Sequence, residues 1–253
     1  MPSDLDRLAM ASAAKADAAT AARAIPLLDL TSLGDADDEA GARALACRGR
    51  EAGVAALCLW PRFVGVAHES LAGSSVRVAT VANFPAGGDD IGAAADEVRL
   101  AFEAGADEVD VVAPLQAILD GDVSLVGELV ELCNQAKPHG GTLKIILETG
   151  VLQAPDVITA AARAAVMAGV DMLKTSTGKV PVGATLEAAA TLLEVVAEAE
   201  GRVGLKLSGG VRAADQAAGY LALADARMGE HWVSPGTFRI GASSLLDDLQ
   251  ARL

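Results

Sequence analysis

Short runs rich in Val, Ile and Leu alternate along this chain with longer alanine-rich stretches whose apolar positions recur every three or four residues. The first pattern reads as buried strand and the second as amphipathic helix. Strands are predicted over 25–30, 54–60, 76–81, 108–112, 143–148, 172–176, 203–207 and 238–241. Helices are predicted over 89–104, 122–137, 155–168, 185–199 and 214–224. Several of them stop at glycine, as at Ala104-Gly105, Ala168-Gly169 and Glu200-Gly201, because glycine takes the left-handed cap conformation without strain. Strand starts recur roughly every 20 to 35 residues, the size of one strand–helix unit.

Eight strands alternating with helices predict an α/β fold, a closed parallel (β/α)8 (TIM) barrel. An open doubly wound sheet is the alternative. It normally carries a glycine-rich dinucleotide fingerprint after its first strand, and Asp29-Leu-Thr-Ser-Leu33 is not one. No linker rich in Pro, Gly or Ser divides the chain, so one barrel domain is expected over 1–253. The alanine-rich, mixed-charge stretch 1–24 reads as an extra surface helix rather than a signal peptide.

The strand pattern is broken by charge. Lys144, Lys174 and Lys206 each sit in an apolar strand, and Asp110 interrupts the valine-rich strand 108–112. A buried ammonium is costly and tends to lose its proton. An isolated lysine is only about one part in 2,500 neutral at pH 7. Burial and a neighbouring ammonium can raise that fraction, and a neutral amine is a nucleophile for carbonyls. Lys206 is the expected neighbour of Lys174. Asp110 then relays protons or orients the amine. The alternative for each is a structural ion pair, with Asp110 or Glu148 as the acid.

In a barrel, catalytic groups lie toward the C-terminal ends of strands, which also nominates Asp29 and Cys58. Asp29 is open to a second reading as a loop cap, and Cys58 to one as core. Loops at Gly178-Lys179, Gly209-Gly-Val-Arg212 and Gly241-Ala-Ser-Ser244 each follow a strand and precede a helix. Backbone N–H groups, helix N-termini and the charges of Lys179 and Arg212 make them a candidate anion site.

The net charge of −14 and the scarcity of aromatic residues count against nucleic-acid binding. No apolar run is long enough to cross a membrane. Three widely spaced cysteines fit a reducing cytoplasm. The three histidines have no metal-ligand spacing, so no metal and no cofactor is expected.

Together these segments resemble the deoxyribose-phosphate aldolase family. The matching stretches are Asp29-Leu-Thr-Ser-Leu33, Cys58-Leu-Trp-Pro-Arg-Phe63, Ala79-Thr-Val-Ala-Asn-Phe-Pro85, Gly105-Ala-Asp-Glu-Val-Asp-Val-Val112, Leu143-Lys-Ile-Ile-Leu-Glu-Thr-Gly150, Lys174-Thr-Ser-Thr-Gly-Lys179, Lys206-Leu-Ser-Gly-Gly-Val-Arg212 and Phe238-Arg-Ile-Gly-Ala-Ser-Ser-Leu245. The likeness runs from about residue 25 to the C-terminus.

The resemblance implies a metal-free class I aldolase that interconverts 2-deoxy-D-ribose 5-phosphate with acetaldehyde and D-glyceraldehyde 3-phosphate. It assigns Lys174 as the Schiff-base lysine, Lys206 as the lysine that tunes it, Asp110 as the proton-relay acid and Lys144 as its helper. It assigns Gly178, Lys179, Gly209, Gly210, Gly241, Ser243 and Ser244 to the phosphate site. Leu207 stands where many relatives have proline, a mild change. Some relatives end in a tyrosine that aids proton transfer. This sequence ends at Leu253, so another group, such as an ordered water, is expected to protonate the enamine carbon. The other readings are a different Schiff-base sugar-phosphate aldolase, such as a transaldolase-like enzyme, and a non-catalytic phosphosugar-binding barrel. The expected partners are phosphosugars and aldehydes, and a homodimer is one compatible assembly.

Overall fold

Eight parallel strands close on themselves in a computed structural model that describes residues 3–253. Two helices, α1 (Asp4–Ala13) and α2 (Ala18–Ala24), precede them. The strands are β1 (Leu28–Ser32), β2 (Ala56–Leu59), β3 (Arg77–Ala82), β4 (Glu108–Val112), β5 (Thr142–Ile146), β6 (Met172–Lys174), β7 (Gly204–Ser208) and β8 (Phe238–Ala242). Between and after them lie α3 (Glu39–Ala52), α4 (Val64–Ser70), α5 (Ile91–Glu103), α6 (Leu115–Leu119), α7 (Ser124–Ala136), α8 (Thr149–Leu152), α9 (Pro155–Met167), α10 (Leu186–Glu198), α11 (Ala214–Met228) and α12 (Leu245–Gln250). β8 pairs back onto β1, with Leu28 opposite Ile240 and Asp29 opposite Gly241. That pairing is the closure of a (β/α)8 barrel and excludes the open sheet.

Side chains alternate across each strand. One set, including Leu30, Leu57, Val109, Ile145, Leu173, Leu205 and Ile240, points outward into the main core between sheet and helices. The other set fills the barrel. On the β2–β3 side the filling is apolar and small, with Ala56, Cys58, Ala79 and Val81 in a separate cluster. Elsewhere it is charged: Asp29, Glu108, Asp110, Lys144, Lys174, Lys206 and Arg239 are all buried. Strand register sets Asp110 opposite Lys144, Lys174 opposite Lys206, and Lys206 opposite Arg239.

Several boundaries differ from the sequence expectation by a residue or more, and three of the differences have a clear local cause. Residues 25–27 form a 3-10 turn with proline in its first turn, so β1 begins only at Leu28. Strand pairing on β6 ends at Lys174. Beyond it, the Thr175 hydroxyl donates to the Ser208 carbonyl, and the Thr175 carbonyl accepts from the Thr149 amide. The N-terminal stretch is two helices, because Asp17 caps a new one by accepting from the Thr20 amide.

These helices are not loose on the surface. Ala11, Ala16, Ala21 and Ala24 are buried, and α1 packs against α10 and α11. Gly219 of α11 makes that approach feasible. A Cβ there would lie 2.8 Å from the Ala11 carbonyl oxygen. Gly219→Val is therefore expected to destabilise the chain by about 1–3 kcal/mol, a typical overpacking cost, while leaving the barrel interior intact. Thermal unfolding is the measurement, and an unchanged midpoint would contradict this packing.

Candidate active site

Seven of the charged groups that face into the barrel form one connected ion network. Asp110 is its centre. Its Oδ1 accepts from Lys144 Nζ at 2.8 Å, and its Oδ2 accepts from Lys174 Nζ at 2.8 Å and Lys206 Nζ at 2.6 Å. On β1, Asp29 Oδ2 lies 2.5 Å from Lys206 Nζ, and its Oδ1 accepts from Arg239 Nη1 at 2.5 Å. Glu108 receives Lys144 Nζ at 2.5 Å and Arg239 Nη2 at 2.8 Å. Arg77, partly exposed at the start of β3, reaches Glu108 at 3.0 Å.

Within this network the buried cations are Lys144, Lys174, Lys206 and Arg239, and the buried acids are Asp29, Glu108 and Asp110. The cations are in excess. Lys144 approaches all three acids within 4 Å, while Lys206 and Arg239 each engage two. Lys174 engages only Asp110, through an oxygen it shares with Lys206. It is the least compensated cation, and it holds its proton least.

The directions of the pKa shifts follow. Burial pushes the Lys174 amine below the ordinary lysine value, and the Lys206 ammonium adds to this against the pull of Asp110. Burial also works against the charge on Lys144, Lys206 and Arg239, but the carboxylates around each outweigh it and hold it above its ordinary value. Burial alone would raise Asp29 and Asp110; their cationic neighbours hold both well below the usual carboxylate range.

Lys174, only 2% exposed, and Lys206 border a cavity of about 350 Å³ at the C-terminal end of the barrel. Its wall includes Gly178, Lys179, Gly209, Gly210, Arg212, Gly241 and Ser243, with Thr31 to Gly34 on the β1 side. Gly178, Gly209 and Gly210 have φ of +79°, +85° and +84°, the left-handed region where side chains are strained. Gly183 is required by contact: a Cβ there would lie 2.2 Å from the Gly209 carbonyl oxygen. The Lys179 ammonium donates to the Leu33 carbonyl at 2.6 Å and lies 5.6 Å from the Trp60 ring centroid.

Three expected residues are placed differently. Ser244 is exposed and outside the cavity wall. Asp29 neither lines the cavity nor caps the β1 loop, because Arg239 and Lys206 draw its carboxylate inward. Cys58 lies in the apolar cluster beside the network, and burial pushes its thiol up.

Glu148 pairs with no lysine. It accepts from the Thr177 amide at 3.2 Å and from the Thr177 hydroxyl at 2.5 Å. Glu108 and Arg239 escaped the sequence reading. The signal was present, since Glu108 is two residues before Asp110 and Arg239 is two before Gly241, so both share the inward phase of their strands. Among the described residues, no group of three or more His, Cys, Asp or Glu is placed to hold a metal. No described helix is long and apolar enough to cross a membrane.

A family model for DeoC/LacD family aldolases matches residues 23–251. The chain belongs to this family. It is thus an aldolase, a carbon–carbon lyase, of a family whose substrates are small phosphosugars. A solved structure of a candidate deoxyribose-phosphate aldolase from Coccidioides immitis is 26% identical, with a TM-score of 0.81 over 95% of this chain and 88% of that one. An aldolase designated QR15 is 27% identical, with a TM-score of 0.76 over 90% of this chain and 94% of that one. The deoxyribose phosphate aldolase of Aeropyrum pernix, a tetramer, is 24% identical with a TM-score of 0.77 over 99% and 98% of the two chains. That last likeness bears on the fold alone.

The shift of Lys174 also enters the pH dependence of stability. Its folded value lies below its unfolded one, so between the two the unfolded chain binds more protons and stability rises with pH. Lys174→Met removes this slope. The variant is expected to exceed the parent in stability most at neutral pH, with the gap narrowing as pH approaches 10. The gap changes by about 1.4 kcal/mol for each unit of lowering. Urea unfolding at several pH values measures it, and a gap that widens with pH would contradict the assignment.

Proposed function

We propose that this aldolase cleaves 2-deoxy-D-ribose 5-phosphate to acetaldehyde and D-glyceraldehyde 3-phosphate, reversibly, through an imine on Lys174. The observation that carries the proposal is the sharing of Asp110 by three buried lysines, with Lys174 the least compensated and at the cavity wall. A buried amine freed of its proton is the nucleophile that imine formation requires.

The neutral Nζ of Lys174 adds to the C1 aldehyde, and loss of water gives a protonated imine. As the C3 hydroxyl gives up its proton, the C2–C3 electron pair moves into that cation. Glyceraldehyde 3-phosphate departs and an enamine remains. Protonation at C2 and hydrolysis then release acetaldehyde and restore the amine. Asp110 lies between Lys206 and Lys174, within hydrogen-bond reach of both. With Lys206 and water it moves protons to and from the carbinolamine. Lys144 and Asp29 hold the other sides of that pair.

The phosphate is read by the loops carrying Gly178, Lys179, Gly209, Gly210, Gly241 and Ser243, with Arg212 on the same wall. Two cationic side chains and glycine backbone suit a phosphate. Fixing it orients the aldehyde toward Lys174, so binding energy is used for alignment. The cavity volume fits a pentose phosphate. The proposal extends to one catalytic domain with an N-terminal extension, acting in the cytoplasm on free phosphosugars, without metal or organic cofactor, as a homodimer or larger homo-oligomer.

Borohydride added with acetaldehyde is expected to label Lys174 permanently, read by peptide mass mapping. A label on another lysine would refute the assignment, and no label at all would favour a non-catalytic phosphosugar-binding barrel. Lys174→Ala is expected to remove cleavage to below about one thousandth of the parent rate while circular dichroism is retained. EDTA is expected to leave the rate unchanged; loss of activity with EDTA would point to metal-dependent chemistry.

A further inference from the structure

Arg239 and Glu108 touch neither the cavity nor Lys174, yet they are among the most completely paired groups in the barrel. Arg239 bonds Asp29 through Nη1 and Glu108 through Nη2, and its Nε donates to the Pro235 carbonyl. Glu108 bonds Arg239 and Arg77 on one oxygen and Lys144 on the other. Arg239 thus occupies carboxylate oxygens that the lysines would otherwise use.

The groups facing each centre set the balance. Lys174 is faced by Asp110 from β4, Lys206 from β7, Cys58 from β2 and Glu148 from the end of β5. Cys58 is an uncharged thiol near neutral pH, because burial raises it. Glu148 is committed to Thr177. Arg239 is faced by Asp29 from β1 and Glu108 from β4, with Lys144 and Lys206 on the far sides of those acids and the partly exposed Arg77 of β3 sharing the Glu108 oxygen. Without Arg239, the three acids of the network would face the three buried lysines and, at Glu108 alone, the partly exposed Arg77, whose charge solvent screens. Each lysine would then have a carboxylate to match, Lys174 included. Arginine cannot give up its proton in this range, so the proton that leaves must come from a lysine.

We infer that Arg239, held by Glu108, is a positioning residue for the imine chemistry: as a permanent fourth cation it makes Lys174 the surplus one and frees its amine. Lysine at this position is a weaker form of the same device, since it supplies the charge without the two-pronged grip on Asp29 and Glu108. The inference rests on the reading of Lys174 as the imine lysine.

The test is the pH profile of imine trapping with acetaldehyde and cyanoborohydride, followed by mass mapping of Lys174. Labelling of Lys174 in the parent chain is checked first, because its absence would overturn the proposed function rather than this inference. In Arg239→Gln, trapping at neutral pH is expected to fall roughly tenfold, the effect of a one-unit rise in an amine's pKa. The profile moves to higher pH and reaches the parent plateau there. Arg239→Lys is expected to keep most of the parent profile. Removing one acid with the cation, in the Asp29→Asn, Arg239→Gln double variant, is expected to move the profile back toward the parent.

A role in packing alone would lower trapping equally at every pH, and the second substitution would not restore it. That outcome, or a Gln variant whose profile does not move, overturns the inference. If Arg239→Gln does not fold, the comparison of Asp29→Asn with the double variant decides. The inference requires the added Gln to shift the profile to higher pH, and no shift overturns it.

Discussion

An imbalance of charge that cannot be relieved by solvent governs the centre of this protein. Within the ion network three buried acids face four buried cations, the fourth buried acid, Glu148, being held by Thr177, and one of those cations is an arginine that stays protonated. In water such an excess would be trivial, because a dielectric near 80 and mobile ions screen it. Inside the barrel the surplus is poorly screened and weakens the hold of one cation on its proton. The site selects Lys174 by geometry, since every other cation touches at least two carboxylates. Which amine holds its proton least is therefore a property of the whole network. Buried ion pairs seldom add much stability over apolar packing, which makes their persistence here more telling about chemistry than about folding.

The barrel is well suited to hold such a network. Parallel strands in continuous register present inward side chains in layers, so charged groups on β1, β4, β5, β6, β7 and β8 meet on the axis without any of them leaving its strand. The β2–β3 side contributes only Ala56, Cys58, Ala79 and Val81. That apolar face removes water from one side of the lysines. Burial is accordingly the largest influence lowering Lys174, with the repulsion of Lys206 added to it.

Much of this was legible before any coordinates. Lys144, Lys174, Lys206 and Asp110 stood out because a charge within a Val- or Ile-rich run contradicts the surrounding pattern. Arg239 and Glu108 did not, for a physical reason. Each lies at or beside the first residue of its strand, where a charge reads as an ordinary solvated flank. Only their phase relative to Asp110 and Gly241 reveals the inward direction. Asp29 was misjudged because an acid in a strand leading to a loop is locally indistinguishable from a cap. Its role depends on Arg239, more than two hundred positions away. Short-range signals were equally decisive in the N-terminal stretch, where the Asp17 side chain divides one alanine-rich segment into two helices.

Glu148 links the two halves of the site. Its backbone is left-handed, with φ of +49°, a conformation that costs a non-glycine residue of order 1–3 kcal/mol. The hydrogen bonds from Thr177 to its carboxylate offset part of that cost. Thr177 in turn accepts from the Lys179 amide through its hydroxyl at 3.0 Å. A connection therefore runs from the end of β5 through Thr177 to Lys179, while the same loop begins at Lys174 on β6. Lys174 and Lys179 are thus fixed in one short segment, tied to a neighbouring strand. Burial pushes the Glu148 carboxyl up, and the hydrogen bonds it accepts from Thr177 work against that rise. The electrostatics of Lys174 and the placement of Lys179 then depend on adjacent strand ends, where a single short turn serves both.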